Sequence, residues 1–148
     1  MKIHPYLNFD NKTEEAFRFY EKALGGKLTV IHRFGSMPQQ GGFELTTEQK
    51  NLVMHVGLEL PDGEMIMASD MIAGMGPTRV QGNNIAISVH PGSKQEADRI
   101  FNALAQGGTV TMPIADQFWG DYFGSLTDRF GINWMVNFSD PATRQQRA

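Results

Sequence analysis

Residues 11–26 read NKTEEAFRFYEKALGG, and residues 93–108 read SKQEADRIFNALAQGG. In both stretches apolar residues recur at spacings of three and four, the pattern that one face of an amphipathic helix produces. Both stretches end in a pair of glycines, which suits a left-handed helix terminus. The sequence therefore predicts two similar helices, one in each half of the chain.

The two predicted helices match in detail. Each begins with a capping-box pattern, formed by Asn11 and Glu14 in the first helix and by Ser93 and Glu96 in the second. Four apolar positions correspond at a constant separation of 81 residues: Ala16, Phe19, Tyr20 and Ala23 in the first helix, and Ala97, Ile100, Phe101 and Leu104 in the second. This internal repeat predicts two similar modules.

Segments typical of strands surround both helices. The sequence predicts strands at 3–9, 27–34, 51–60 and 64–69 in the first half, and at 84–89, 109–114, 119–128 and 132–138 in the second. Hairpin turns are expected at Pro61-Asp62-Gly63 and at residues 128–131. Each half is therefore predicted to have the order β-α-β-β-β, which makes the protein an α+β protein.

The domain organisation follows from this pattern. We expect a single domain over residues 1–140, with module one at 1–70, a linker at 71–82 and module two at 83–140. Residues 141–148 are polar and predict a flexible tail. A long loop at 35–50, rich in glycine, glutamine and threonine, is a candidate lid or contact element.

Composition excludes several functional classes. The chain has 148 residues and no cysteine, which rules out disulfides, thiol catalysis and iron–sulfur ligation. Its formal net charge is −3 without a basic cluster, so no nucleic-acid partner is expected. No apolar run is long enough to span a membrane, and we expect no membrane association and a cytoplasmic location.

Several stretches, taken in their order and spacing, resemble a known family. They are PYLNF at 5–9, AFRFY at 16–20, LGG at 24–26, MASD at 67–70 and FGSLTDRFGINWMVN at 123–137. The chain resembles the PhnB-like branch of the glyoxalase/bleomycin resistance/extradiol dioxygenase superfamily, also called the vicinal oxygen chelate superfamily. The resemblance implies two tandem modules that form a curved mixed sheet around a cavity, with helices on the outside. It also implies a homodimer.

Metal-using members of this superfamily take ligands from the first and last strand of each module. By resemblance, those positions hold His4, Met67, Asn84 and Met135 in this chain. Two thioethers, one amide and one imidazole suit a divalent ion poorly, because such ions prefer carboxylate oxygens or several imidazoles. We therefore expect no metal and no cofactor, with Met67 and Met135 as soft cavity lining. A divalent metal held by an unexpected set, such as His4, His55 and Glu59, is the alternative.

Strand alternation selects the candidate ligand-binding residues. His4, Tyr6 and Asn8 share one face of the first strand. On the third strand, Leu52, Met54, Val56, Leu58 and Leu60 form one face, and Val53, His55, Gly57 and Glu59 form the face expected to line the cavity. His55 is the candidate catalytic base. The ligand-binding set is His4, Tyr6, His55, Met67, Asn84, Ser88, Trp119, Phe123, Met135 and Asn137.

Three functional hypotheses follow. The first is a metal-free protein that binds a small molecule, and the alternative is a lyase, isomerase or oxygenase that acts on a small oxygenated metabolite. The third is a protein whose main task is to form an oligomer, with the loop at 35–50 as a contact element. Nothing in the sequence supports a methyltransferase that binds S-adenosylmethionine, because no strand–GxGxG–helix pattern is present.

Overall fold

The computed structural model describes residues 1–38 and 44–144. It divides into two compact units, Met1–Val80 and Gln81–Ala148. The boundary falls inside the predicted linker at 71–82, and the exact limits of the predicted modules stay a prediction. Residues 39–43 of the predicted loop and 145–148 of the predicted tail lie outside the described residues.

The first unit keeps the predicted β-α-β-β-β order, except that the second strand is split in two and a short helix is added. It contains β1 (Tyr6–Phe9), α1 (Thr13–Leu24), β2 (Lys27–Leu28), β3 (His32–Arg33), α2 (Thr47–Asn51), β4 (Val53–Glu59) and β5 (Met65–Asp70), with a 3₁₀ turn at Phe34–Ser36. The strands form one mixed sheet in the order β1-β5-β4-β2, and β3 pairs with β4 as well. β1 runs parallel to β5, whereas the other pairs are antiparallel.

The second unit repeats this topology. It contains β6 (Ile87–Val89), α3 (Lys94–Ala105), β7 (Thr109–Asp116), β8 (Asp121–Thr127), β9 (Asn133–Ser139) and α4 (Pro141–Arg144). The sheet order is β6-β9-β8-β7, with β6 parallel to β9 and the other pairs antiparallel. The predicted α+β fold with two β-α-β-β-β modules is therefore confirmed.

Each unit buries the apolar face of its long helix. In the first unit, Ala16, Phe17, Tyr20 and Ala23 are buried together with Val53, Val56, Leu58, Ile66 and Ala68 of the sheet. In the second unit, Ala97, Ile100, Phe101 and Leu104 are buried together with Leu126, Trp134 and Val136. The predicted face of α1 is wrong at one position, because Phe17 is buried and Phe19 only half-buried.

Four local predictions differ from the observed elements. The strand predicted at 27–34 is split into β2 and β3, and the strand predicted at 84–89 is shortened to β6. The loop predicted at 35–50 ends in the helix α2, which begins with a capping box between Thr46 and Gln49. The tail predicted at 141–148 begins with the short helix α4.

The start of α1 also differs from the prediction. The helix begins at Thr13, its N-cap is Lys12, and no side-chain cap bond from Lys12 is present. Asn11 instead adopts a left-handed backbone with φ of 54°. Asp70 at the end of β5 supplies the cap, since its Oδ1 accepts hydrogen bonds from the backbone amides of Lys12 and Thr13.

The two predicted hairpin turns are confirmed. Leu60 and Glu64 are joined by a backbone bond from Leu60 N to Glu64 O of 2.8 Å. In the second unit the bond from Asp128 N to Ile132 O has the same length. Across residues 1–38 and 44–144, no helix has the length and apolar character needed to cross a bilayer.

Candidate functional site

The faces of the two sheets that point away from their own helices carry most of the predicted site residues. We call these the first and second distal faces. On the first, β1 and β5 are in register, with Tyr6 opposite Met67 and Asn8 opposite Ser69. The alternate residues of β5, Ile66 and Ala68, are buried on the opposite face, which packs against the helix. Alternation along both strands therefore places Tyr6, Asn8, Met67 and Ser69 on the first distal face.

Tyr6 and His55 form the central contact of the first distal face. The Tyr6 hydroxyl lies 3.2 Å from His55 Nδ1, within hydrogen-bond distance. Their rings are stacked, with centroids 5.8 Å apart and planes at 29°. β5 lies between the strands that carry these residues, so the Tyr6 side chain reaches across it. The structure thus brings together two residues that are 49 positions apart in the sequence.

Two polar residues that were not selected as ligand-binding residues lie beside this pair. The Ser69 hydroxyl donates a hydrogen bond of 3.2 Å to Asn8 Oδ1. Asn8 shares its face with Tyr6, and Ser69 shares its face with Met67, because each is two residues further along its strand. Alternation could therefore have added both to the predicted set.

The prediction of the third strand's faces is wrong at its start. Val53, Val56 and Leu58 are buried, whereas Met54 and His55 are both only half-buried. The spacing of three between Val53 and Val56 coincides with a register irregularity opposite β3. A β-bulge of this kind moves the preceding residues to the other face. Val53 therefore belongs to the core, and His55 keeps its predicted place on the distal face.

The same irregularity brings a second histidine to the site. His32 of β3 lies opposite His55 in the register, so both imidazoles are on the first distal face. The next residue, Arg33, points to the helix side, where it donates a 2.8 Å hydrogen bond to Glu14. That hydrogen bond holds the pKa of Glu14 below its usual range. His32 is exposed.

His4 lies just before β1. Its Nδ1 is buried and has no hydrogen-bond partner among the described residues. The neighbouring backbone continues the pairing with β5, because Met67 N donates a 3.0 Å hydrogen bond to Pro5 O. His4 therefore lies beside the first distal face, next to the end where Tyr6 and Met67 are found.

The strands of the second distal face carry the remaining predicted residues, with two exceptions. Met135 of β9 lies between Ser88 of β6 and Ser125 of β8 in the register. Phe123 lies opposite Asn137. Asn84 precedes β6 and is exposed outside any strand, and Trp119 lies in the turn between β7 and β8. The predicted place of Asn84 on the fifth strand is therefore wrong.

A hydrogen-bonded cluster and a group of aromatic rings lie at one end of this face. Asp121 Oδ1 accepts a 2.8 Å hydrogen bond from the Ser139 hydroxyl, and Asn137 Nδ2 donates to the same serine oxygen over 3.2 Å. The Trp119 ring packs against Phe123 with centroids 6.0 Å apart and planes at 60°. Trp119 is 37% exposed. This end of the second distal face thus combines a polar cluster with a partly exposed indole.

One strongly perturbed group lies outside the distal faces. The Tyr122 hydroxyl donates a hydrogen bond to the Asp98 carboxylate on α3. This hydrogen bond is the main reason that the pKa of Tyr122 is raised to about 12. Lys94 lies over the Tyr122 ring at 5.1 Å and pairs with Asp116 at 2.6 Å. The cluster ties α3 to β7 and β8 and contains none of the predicted site residues.

The positions that correspond to metal ligands by resemblance do not suit a divalent ion. They hold one imidazole, two thioethers and the amide of Asn84, which lies outside the sheet. Divalent ions in proteins prefer carboxylates or several imidazoles. Within residues 1–38 and 44–144, no three His, Asp or Glu side chains are grouped so that they could hold an ion. The expectation that the protein uses no metal stays a prediction.

The fold defines the class of protein. Two open mixed sheets, each from a β-α-β-β-β module, form the fold of a glyoxylase/bleomycin resistance protein/dioxygenase domain from Frankia sp. EAN1pec. That structure superposes with a TM-score of 0.66 over all of this chain and 98% of its own, at 15% identity, which shows the fold alone. The predicted class is confirmed.

More similar proteins identify the family. Protein PA1353 from Pseudomonas aeruginosa is 40% identical with a TM-score of 0.78, over 94% of this chain and 98% of its own. A PhnB protein from Bacillus cereus, described as a putative 3-demethylubiquinone-9 3-methyltransferase, is 26% identical with a TM-score of 0.71, over 94% and 100%. The family described as 3-demethylubiquinone-9 3-methyltransferase matches residues 1–137. The chain belongs to this family, the PhnB-like branch of the vicinal oxygen chelate superfamily.

Proposed function

We propose that this protein binds a small organic molecule without a metal ion, and that the first distal face is the principal contact surface. The observation that carries the proposal is the pair of Tyr6 and His55. Tyr6 is 45% exposed, yet its hydroxyl and its ring are both held by His55. A fixed aromatic ring with an accessible polar edge is the type of group that small-molecule sites use.

The surroundings of the pair support the proposal. Met67 offers a polarisable thioether that adapts to the shape of a ligand. Gly57, opposite Met67 in the register, has no side chain and so adds no bulk of its own beside Met67. His4 contributes a buried Nδ1 that has no partner among the described residues. A bound molecule could satisfy that nitrogen, which would otherwise cost free energy.

The second distal face contributes a second set to the proposal. Ser88, Phe123, Met135 and Asn137 lie on it, with Trp119 packed against Phe123. The exposed indole and the amide combine an apolar surface with hydrogen-bonding groups. The proposed set also keeps Asn84, which is exposed and precedes β6.

The homodimer and the cytoplasmic location that the sequence implies stay predictions.

The proposal is tested by a ligand screen on the full-length chain. A chemically diverse fragment library is screened by thermal shift, and the hits are mapped by NMR chemical-shift perturbation. We expect saturable hits that shift the resonances of Tyr6 and His55. Tyr6→Ala, which removes an exposed ring, should weaken those hits at least tenfold and change the stability by only about 0.5 kcal/mol.

The control is Ile3→Ala. Ile3 is 84% exposed and close to Tyr6 in the chain, so its loss removes a similar exposed apolar group. We expect unchanged hits in this variant. Screening hits that bind elsewhere, or that bind Tyr6→Ala as tightly as the original chain, would show that the first distal face is not the binding surface.

The same pair supports an enzyme as the second candidate. A hydrogen bond from a tyrosine to one nitrogen of a histidine is the arrangement that orients an acid–base residue. His55 would then act as the catalytic group of a lyase, isomerase or oxygenase on a small oxygenated molecule. Turnover of a screening hit that disappears in His55→Gln would favour this candidate, and binding without turnover would favour the first.

A further inference from the structure

Two side chains of the first distal face, His55 and Asn8, present hydrogen-bond donors to a ligand. From these donors the geometry points to a ligand that offers a carboxylate to His55 Nε2–H and to the amide group of Asn8. The inference rests on the proposed function, because it names the chemical class of the molecule that this face would bind. It requires no metal, since both contacts are hydrogen bonds from the protein.

The Tyr6 contact determines which nitrogen of neutral His55 carries the proton. Two arrangements fit the 3.2 Å separation: the phenol donates to Nδ1, or Nδ1–H donates to the phenol oxygen. An imidazole nitrogen is much more basic than a phenol oxygen, and a phenol is the more acidic donor. The phenol therefore donates, and the proton of His55 lies on Nε2. His55 thus presents an N–H donor to a ligand.

Asn8 presents a donor for a parallel reason. Its Oδ1 already accepts the hydrogen bond from the Ser69 hydroxyl. Among the described residues nothing accepts from the Asn8 NH₂, a group that can only donate. Asn8 and His55 thus both present hydrogen-bond donors on the first distal face.

The two donors lie on opposite sides of Ser69. Asn8 is opposite Ser69 in the register of β1 and β5. The register of β4 and β5, continued by one residue beyond Val56 and Ala68, places His55 opposite Ser69 on the other side. Neighbouring strands are about 4.8 Å apart, so the two backbones are separated by about 10 Å. A carboxylate with its two oxygens can accept from both side chains across this gap.

The groups around the donors do not oppose an anion, and Asp10, two residues after Asn8, is paired with Arg79 at 2.7 Å. His32 adds a second imidazole directly opposite His55. Of the residues on this part of the face, namely Tyr6, Asn8, His32, His55, Met67 and Ser69, none is acidic. The acidic residue of β4 is Glu59, which lies four residues from His55, about 13 Å away, and opposite Lys27. A ligand carboxylate at His55 therefore meets donors before it meets a like charge.

Histidine tautomers and two matched probes test the inference in the full-length chain. Long-range ¹H–¹⁵N NMR spectra are expected to show His55 protonated at Nε2 in the neutral form. Benzoate and benzylamine have the same ring and opposite charges. We expect benzoate to shift the resonances of His55 and of the Asn8 side-chain amide in a saturable manner, and benzylamine to leave them unchanged. An Nδ1–H tautomer, or stronger binding of benzylamine, would overturn the inference.

Variants separate the donor role from a role in folding. His55→Gln keeps an N–H donor and should retain benzoate affinity within about threefold, whereas His55→Leu should lose about tenfold. Asn8→Asp replaces the donor by a negative charge and should lose at least tenfold. Asn102→Asp adds the same charge at an exposed position of α3 and is expected to have no effect. Equal losses in His55→Gln and His55→Leu would contradict the assigned donor.

The failure of this inference can be told apart from the failure of the proposed function. If the fragment screen finds saturable binders of the first distal face and all of them are neutral or cationic, the face binds ligands and the carboxylate assignment is wrong. If the screen finds no binder of this face, the proposed function is wrong, and the assignment is wrong with it.

Discussion

Asp70 shows how a single carboxylate joins separate parts of the first unit. It is 5% exposed, and its Oδ1 accepts from the backbone amides of Lys12 and Thr13 at 3.1 Å and from the Thr13 hydroxyl at 2.8 Å. Its Oδ2 accepts a 2.8 Å hydrogen bond from Val53 N. The start of α1, the start of β4 and the end of β5 therefore meet at one side chain.

Asp70→Asn is expected to destabilise the protein by about 2–4 kcal/mol. All four groups around Asp70 donate hydrogen bonds, so the NH₂ of an asparagine must face a donor in either rotamer. The measurement is the urea midpoint at unchanged m-value. Asp62→Asn, at an exposed hairpin position, is the control and should change the stability by less than about 0.5 kcal/mol. Equal effects of the two substitutions would contradict this account.

The sequence indicates some of these roles and conceals others. Asp128 stabilises the predicted hairpin turn at 128–131, because its Oδ1 accepts from Phe130 N and Ile132 N. Its Oδ2 also accepts a 2.8 Å hydrogen bond from the indole of buried Trp134, which no turn rule predicts. The capping of α1 by Asp70 is concealed in the same way, because the partners are 57 and 58 residues apart.

At the scale of elements, the glycine pairs after α1 and α3 are similar in both units. The first of each pair has φ of 74°, and Gly25 is the C-cap of α1, whereas Gly107 follows Gln106, the C-cap of α3. The second of each pair passes close to a neighbouring strand. A Cβ on Gly26 would lie 2.6 Å from Glu59 O, and a Cβ on Gly108 would collide with Thr127 O. The repeat read from the sequence therefore extends to backbone contacts.

Gly108→Ala is expected to destabilise the protein by more than about 2 kcal/mol, because the added methyl meets backbone atoms that cannot move independently. Gly92→Ala is the matched control. A Cβ on Gly92 would be 3.7 Å from the flexible Glu96 carboxylate, an ordinary contact. Thermal unfolding of both variants is the measurement. A Gly108→Ala variant as stable as Gly92→Ala would show that β7 can shift away from β8.

Prediction of elements succeeds where the signal is local and fails where it is not. The two long helices and both hairpins follow from periodicity and turn residues, and all four are confirmed. The break between β2 and β3 and the bulge beside His55 are not predicted, because strand interruptions depend on the pairing of β4 with residues distant in the sequence.

For the whole molecule, the repeated order of elements predicts the fold, and the stretches such as PYLNF at 5–9 and FGSLTDRFGINWMVN at 123–137 predict the family. Neither is enough to define the site. Alternation correctly assigns Tyr6, His55 and Met67 to one face. The stacking of Tyr6 on His55 across β5 depends on the register of three strands, and no short-range pattern in the sequence encodes it.

A whole-molecule measurement tests the proposed absence of a metal. Untagged protein purified without chelators is analysed by elemental mass spectrometry, and we expect well under one equivalent of any transition metal per chain. Added Ni²⁺, Zn²⁺, Mn²⁺ or Fe²⁺ should leave the melting temperature unchanged, since a bound ligand would raise it. About one equivalent that is lost in His55→Gln would instead support an enzyme with an unexpected ligand set.

The positions of the two tryptophans have a spectroscopic consequence. The chain contains Trp119 and Trp134 only, and both belong to the second unit. Indole emission therefore reports on residues 81–148, and the first unit contributes only its tyrosines, Tyr6 and Tyr20. Far-ultraviolet circular dichroism senses both units. A comparison of the two signals during denaturation separates the melting of the halves without any label.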